Sequence, residues 1–285
     1  MTLQAVSMKL VSLVPYWVKL FFKNSTLLAP AIRKFLNIYL ALPSESSIVT
    51  INSGGLKGYK MALNLQVEKS YWFGVWETKL QRLFHETVKE GMVVYDVGAH
   101  IGFFSLLFSK YCSAKGRVFS FEPDGDIFLR LTQNIRLNNA ENITAVNVAI
   151  ADKNGVAFFD KSDIDSMGKL IPKEETGSKK VIEVATQTLD SFVYAEKHPL
   201  PSLVKIDVEG AEGKVLAGAE RILKEARPLV FCEVHNYQVA QEVSRILARN
   251  NYALFNIDRD FARIEDFTGY YGICHVLAKP IETIQ

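Results

Sequence analysis

Tyr95-Asp96-Val97-Gly98-Ala99-His100-Ile101-Gly102 closes an apolar run and opens a helical pattern. The run at 92–97 reads as a buried strand and 102–112 as a helix. The glycines therefore stand at a strand-to-helix turn, where a missing Cβ lets the backbone bend tightly and come close to a ligand. The same alternation continues outward. Strands are predicted at 117–121, 143–150, 203–208, 229–234, 252–257 and 273–278, and helices at 127–137, 212–224 and 238–249. Short exposed strands at 155–159 and 180–186 are expected to flank a polar loop, 161–178. Strands alternating with helices of this length predict a mostly parallel α/β sheet covered on both faces, with ligands beyond the carboxyl ends of its strands.

Composition narrows the function classes. The 285 residues are 48% apolar and 22% charged with a net charge of +2, which excludes a disordered or fibrous chain and argues against a nucleic-acid partner. The three cysteines, Cys112, Cys232 and Cys274, are widely spaced and encode neither a disulfide framework nor a zinc ribbon, so a cytoplasmic home is expected. Charge is uneven along the chain. Residues 1–44 carry Lys9, Lys19, Lys23, Arg33 and Lys34 and no acid, leaving 28 Lys and Arg against 31 Asp and Glu in the remainder. On a helical wheel Leu3, Val6, Leu10, Leu13, Val14, Trp17 and Phe21 share a face opposite Lys9, Lys19 and Lys23, with Pro15 as a kink or restart. The apolar stretch between Lys9 and Lys19 is too short to span a bilayer. Two readings stand: a helical cap on the body, or a basic amphipathic helix resting peripherally on a membrane. The domain expectation is accordingly an N-terminal extension, 1–44, and one catalytic domain, 45–285. Nothing in the sequence decides the oligomeric state.

The turn at 96–102 is not a dinucleotide fingerprint, because His100 occupies the place of the middle glycine that makes room for a diphosphate. The acid two residues ahead of Gly98 suits a ligand with a positive charge or an amino group, and S-adenosylmethionine carries both a sulfonium and an ammonium. The second strand ends in Phe121-Glu122-Pro123, which puts a carboxylate 26 residues after Asp96 where it can accept both hydroxyls of a ribose. Asn147-Val148-Ala149-Ile150-Ala151-Asp152 and Lys205-Ile206-Asp207-Val208-Glu209-Gly210 complete an ordered set at four strand ends.

In this order, Y-D-V-G-A-H-I-G-F-F-S, F-S-F-E-P-D, N-V-A-I-A-D, Q-T-L-D-S-F, L-V-K-I-D-V-E-G-A-E and V-F-C-E-V-H resemble the FkbM-type S-adenosylmethionine-dependent methyltransferases over about residues 50 to 280. The resemblance implies a Rossmann-like class I methyltransferase fold: a seven-stranded, mostly parallel sheet, helices on both faces, and an antiparallel last strand at 273–278. It implies methyl transfer to a hydroxyl oxygen, commonly of a sugar or secondary metabolite. It assigns Asp96, Gly98, Ala99 and Gly102 to the methionine end of the cofactor, Glu122 to its ribose, and Asn147 and Ala149 to its adenine edge. His100, where many relatives carry Asn, lies in the same cofactor-binding loop as a departure from the pattern.

An alcohol is almost fully protonated at neutral pH, so methylating it requires a base or a metal. By strand alternation Lys205, Asp207 and Glu209 share an orientation, and Glu233 and His235 share one on the next strand. His235 is the expected proton acceptor by intrinsic pKa. Asp207 and Glu233 are the accompanying catalytic acids, with Asp207 alternatively meeting the methionine amino group or capping the following helix. No metal site is assigned, although some relatives that methylate macrolide sugars use magnesium and Asp207 and Glu233 are the carboxylates that could hold Mg2+.

The expected acceptor is a small molecule or glycan carrying a sugar hydroxyl. A polyketide-type hydroxyl or a carboxylate is the enzymatic alternative, and a non-catalytic nucleotide-binding protein the other; a dehydrogenase is disfavoured by Asp96 and His100. The aromatic segment Tyr71-Trp72-Phe73-Gly74-Val75-Trp76-Glu77 reads equally as a stacking surface for a ring or as ordinary packing. The charged loop after Lys161 reads as a lid or as a solvated insertion. His85, His198 and His275 have no partner at ligand spacing and receive no role.

Overall fold

A computed structural model describes residues 46–161, 168–172, 180–267 and 272–284, in two compact units. The extension 1–44 and most of the polar loop lie outside the described residues. The smaller unit, whose described residues are 46–88 with 133–140, contains β1 (Ser46–Thr50) antiparallel to β2 (Lys60–Asn64), α1 (Lys69–Trp72) and α2 (Thr78–Thr87). The sequence predicted none of these elements. Gly54 and Gly74 both have positive φ and approach so closely that a Cβ on Gly54 would lie 2.3 Å from the Gly74 carbonyl oxygen. Gln81 ties this crossing by accepting from the Gly55 amide at 2.9 Å and donating to the Gly74 carbonyl at 3.2 Å. Tyr71 and Trp72 are buried and the Tyr71 and Trp76 rings lie 4.9 Å apart, so within this unit the aromatic segment is a packing cluster.

The larger unit, 89–132 with 141–285, holds an eight-stranded sheet. Its strands are β3 (Val93–Val97), β4 (Arg117–Phe121), β5 (Ile143–Val146), β10 (Leu203–Ile206), β11 (Leu229–Val234), β12 (Tyr252–Asn256), β13 (Ala262–Ile264) and β14 (Cys274–Pro280). The spatial order is β13-β12-β14-β11-β10-β3-β4-β5, with β14 antiparallel to both β11 and β12. That is the expected seven-stranded sheet with its antiparallel last strand, plus one short edge strand, β13, that the sequence reading lacked. The connecting helices are α3 (Phe103–Cys112), α4 (Gly125–Leu137), α5 (Glu212–Ala217), α6 (Glu220–Glu225) and α7 (Tyr237–Arg249).

Two predicted elements are broken, each for a local reason. The strand expected at 143–150 stops at Val146, because Asn147 turns aside and its amide donates to the Glu122 and Pro123 carbonyls at 2.8 and 3.1 Å. The chain continues as β6 (Ala149–Ile150) in a second sheet, with β7 (Gly155–Asp160), β8 (Lys169–Ile171) and β9 (Val181–Gln187) in the order β6-β9-β7-β8. The helix expected at 212–224 divides into α5 and α6 around Gly218, whose missing Cβ makes room for the Ala151 carbonyl oxygen at 2.1 Å.

Period-two alternation sorts the main sheet into two faces. Tyr95 and Val97 of β3, Phe119 and Phe121 of β4, Val204 and Ile206 of β10, and Val230, Cys232 and Val234 of β11 join one hydrophobic core with Phe192 and residues of α5, α6 and α7. Tyr95 and Phe121 meet the Phe192 ring edge-on at 5.7 and 5.0 Å, and the Tyr95 hydroxyl donates to the Pro199 carbonyl at 2.7 Å. Burying one such aromatic stabilises the fold by about 1.5–3 kcal/mol. The other parity carries polar groups: Asp96 on β3, Ser120 on β4, Lys205 on β10, Glu233 on β11 and His275 on β14. The register sets Lys205 beside Asp96 and Glu233 beside His275, so these groups form a stripe across neighbouring strands.

Candidate active site

The stripe begins in the apolar layer under α3. Asp96 is 0% exposed, and its Oδ2 accepts from Ser105 Oγ at 2.6 Å, which in turn accepts from Ser120 Oγ at 2.9 Å. Its Oδ1 faces the Lys205 ammonium at 3.4 Å. The same Nζ lies 3.3 Å from Asp207 Oδ2 and above the Phe104 ring. Burial raises the Asp96 pKa while Lys205 opposes the shift; burial works against the charged lysine, and Asp207 and Asp96 outweigh it to hold the proton firmly. The positive charge that Asp96 meets here is thus Lys205.

The turn that follows is built by close approach. Gly98 and Ala99 donate to the Phe121 carbonyl at 3.1 and 3.0 Å, and a Cβ on Gly98, at φ +77°, would lie 1.8 Å from the Asp207 carbonyl oxygen. Gly102, at φ +88°, starts α3 in the left-handed region, and a Cβ there would press on Leu131 at 2.5 Å. Both glycines are demanded by the fold itself. His100 adopts φ +49° and its amide donates to Glu122 Oε2 at 2.9 Å. Glu122 Oε1 accepts from the Asp124 amide at 2.9 Å, so two backbone donors aim this buried carboxylate. Burial pushes its pKa up to about 7. Each oxygen keeps a second lone pair, enough to accept a pair of ribose hydroxyls. Asn147 has its amide committed to carbonyls at the β4 end, and the Ala149 side chain packs against Phe159 and Val184, so neither presents a free side chain to an adenine. The signal for that commitment is the Asn at the strand break.

The other end of the stripe gathers side chains on side chains. Asp207 follows β10, then Glu209 at φ +54° and Gly210 at φ +105° turn the chain sharply into α5. His235 follows β11, and its Nε2 faces Glu209 Oε2 at 3.3 Å, Glu233 Oε1 at 3.7 Å and Asp207 Oδ1 at 3.9 Å. Its Nδ1 lies 2.6 Å from Glu212 Oε1. The expected trio of Asp207, Glu233 and His235 is brought together, and one ligand atom from each lies within 4.8 Å of the others. Burial disfavours charge on His235, but Glu212, Glu209 and Asp207 outweigh it and raise its pKa to about 9. His275, given no role by the sequence, reaches the same group: its Nε2 lies 3.5 Å from Glu233 Oε2 and its Nδ1 3.0 Å from Asp258 Oδ1. Only the β11–β14 register could have disclosed that contact.

The donor set tests what the stripe can hold. Carboxylates outnumber cations, and the one lysine is already shared by two acids, so a diphosphate would be repelled while a cationic, ribose-bearing group is accommodated. Residues 96–267 match the model of the methyltransferase FkbM domain. This chain belongs to the FkbM methyltransferase family. As a member it takes its methyl group from S-adenosylmethionine, in keeping with the acid-rich donor set. It is 30% identical over 193 residues to the hexuronic acid methyltransferase AglP of Haloferax volcanii, an alignment covering 67% of this chain and 75% of that protein. Among solved structures it resembles a methyltransferase FkbM from Methylobacillus flagellatus, at 17% identity and TM-score 0.45 over 73% of this chain and 54% of that one. It also resembles a precorrin-6y C5,15-methyltransferase from Geobacter metallireducens, at 15% identity and TM-score 0.44 over 71% and 88%. The strand order of the main sheet, with β14 inserted antiparallel between β11 and β12, is that of a class I methyltransferase. Among the described residues no helix is long and apolar enough to cross a membrane.

Proposed function

We propose that this FkbM enzyme methylates a sugar hydroxyl of a glycan, glycolipid or glycosylated metabolite. The observation that carries the reading is His235 at the carboxyl end of β11, with Nδ1 held by a buried carboxylate and Nε2 turned toward the polar stripe. A hydroxyl nucleophile needs its proton removed as the methyl moves, whereas a carboxylate acceptor needs no base and would meet the surrounding acids unfavourably. The sulfonium supplies an electrophilic methyl in line with the acceptor oxygen, so the protein contributes mainly alignment and proton removal. The 96–102 loop, including His100, borders the methionine end, Glu122 accepts the ribose hydroxyls, and Asn147 and Ala149 border the adenine through backbone rather than side chain. His235 takes the acceptor proton. The carboxylates hold a proton on it up to about 9, and it gives that proton up more readily when positive charge lies close by.

A second reading places a divalent cation among Asp207, Glu233 and His235, supported by their three ligand atoms lying within 4.8 Å. Such an ion would polarise the acceptor oxygen. A ligand set with an imidazole suits manganese or zinc at least as well as magnesium. The name of the Haloferax relative supports a uronic acid as the sugar, and residues 1–44, basic and free of acid, are suited to hold the enzyme near a lipid-linked acceptor.

The test incubates the protein and tritiated-methyl S-adenosylmethionine with methyl glycosides of neutral hexoses and of hexuronic acids, with and without EDTA. Label that resists mild alkali is a methyl ether and supports the reading. Alkali-labile label is an ester and replaces it with carboxylate methylation. Activity lost with EDTA and restored by a divalent ion favours the metal.

A further inference from the structure

We propose that Glu212 is a positioning residue that fixes the His235 imidazole with Nε2 as the nitrogen facing the acceptor. The inference rests on the reading of His235 as the group that meets the acceptor proton. Glu212 is 0% exposed and is the first residue of α5. An acid in the first turn ordinarily lies in water at the positive end of its helix, and the N-cap here is Ala211, which has no side chain to cap with. Glu212 Oε1 instead accepts from the Gly210 amide at 3.0 Å, behind the helix start, and lies 2.6 Å from His235 Nδ1. Its Oε2 is buried without a hydrogen-bond partner. A buried carboxylate so sparsely satisfied is costly to the fold, and neither Lys nor Arg is among its hydrogen-bond partners. Its one charge-compensating neighbour in those contacts is the imidazole.

The backbone is bent to make the pair. Between Asp207 and α5 the chain passes through two consecutive positive-φ residues, Glu209 and Gly210, which fold it back toward the end of β11. Left-handed geometry at a non-glycine residue is strained and persists where the surroundings enforce it. With Nδ1–H donated to Glu212, the lone pair or second proton of the ring is confined to Nε2, which faces Glu209 after β10, Asp207 at the β10 end and Glu233 on β11, with His275 of β14 behind Glu233. When the acceptor hydroxyl gives up its proton as the C–O bond forms and the S–C bond breaks, Nε2 receives that proton and Glu212 faces the resulting imidazolium. Without a partner on Nδ1, the ring would divide between two tautomers and two flips.

The test compares the full-length protein with Glu212→Gln, His235→Asn and the double variant. In wild type, a long-range 15N spectrum of histidine-labelled protein recorded above pH 9, where the ring is neutral, should show His235 protonated at Nδ1, assigned by its loss in His235→Asn. In Glu212→Gln that signature should shift to a mixture or to the other tautomer. On the glycoside methylated in the panel above, Glu212→Gln should lower kcat by about 100-fold while KM for S-adenosylmethionine changes less than about 2-fold. Adding Glu212→Gln to His235→Asn should cost nothing further, since the first acts through the second. An Nδ1 bare of its proton in wild type overturns the proposal, and that measurement needs no variant to fold. So does a near-normal kcat in Glu212→Gln when His235→Asn is inactive, or an added loss in the double variant. If His235→Asn itself turns over normally, the assignment of His235 as proton acceptor fails instead, and the Glu212 proposal falls with it.

Discussion

The two halves of the polar stripe are held in opposite ways. Around Asp96, Gly98 and Glu122 the chain satisfies itself with backbone amides, serine hydroxyls and one lysine, all in contacts a folded chain needs regardless of ligand. Around Asp207, Glu209, Glu233 and His235 the contacts run from side chain to side chain, with acids in excess and the imidazole only partly shielded. On the proposed reading the first half is architecture that the cofactor borrows, and the second, whose acids are compensated by Lys205 and His235, serves the transfer. Substitutions in the first should therefore be felt in stability and cofactor affinity, and in the second chiefly in turnover.

The largest effect should come from Gly98→Ala. Its Cβ would collide with the Asp207 carbonyl at a φ that disfavours any side chain, so a loss of about 3 kcal/mol or more is expected, read as a lowered Tm or failure to express. A folded Gly98→Ala protein with wild-type Tm would erase the contrast. His235→Asn should lower kcat by about 100-fold or more with S-adenosylmethionine affinity nearly unchanged, checked by single-turnover assay and calorimetry. Glu122→Ala, on the architectural side, should weaken S-adenosylmethionine about 10- to 100-fold through two lost charge-assisted hydrogen bonds, while kcat at saturation changes little.

Protonation sharpens the comparison further. Because burial raises the folded Glu122 pKa to about 7 from an ordinary 4.5, its contribution favours the folded state below 4.5 and is lost as pH rises through 7. The cofactor-free protein should lose roughly 3 kcal/mol from this group between those values, and Glu122→Gln should remove that slope from a Tm-against-pH series. On the proposed role of Glu122 the ribose hydroxyls donate to its ionised form, so S-adenosylmethionine affinity should move the other way and tighten from pH 6 to 8. The smallest effect is reserved for removal of residues 1–44. Turnover of a soluble glycoside should stay within about 2-fold, while pelleting with anionic vesicles should fall; unchanged pelleting would end the membrane assignment.

Much of this could be read from the sequence where a signal is local. The strands β3, β4, β10 and β11 announce themselves as apolar runs closed by acids or glycines and β14 as an apolar run, and the pairing of Asp207 with Glu233 and His235 follows from alternation on neighbouring strands. What stayed hidden depends on contacts between distant residues. Asn147 ends a strand because two carbonyls from the β4 end need its amide, and Gly218 breaks a helix because Ala151 passes beside it. Glu212 looks like a helix-start acid until His235 is seen against it, and His275 gains meaning only from its register with Glu233. The elements β1, β2, α1 and α2 gave no clear period, being short segments joined by glycine crossings.

The excursion that begins at Asn147 has a consequence for how such enzymes diversify. Val148 and Ile150 on its way out, and Leu189, Phe192 and Val193 on its return, are seated in the main core, while β7 and β8 hang from β9 as an antiparallel flap. A lineage can lengthen, shorten or exchange that flap between Gly155 and Gln187 without disturbing the order of the catalytic strands, because both hinges are anchored independently of what lies between them. The segment is a natural graft point for the family, provided the Lys161 contact with Asp124 beside Glu122 is kept.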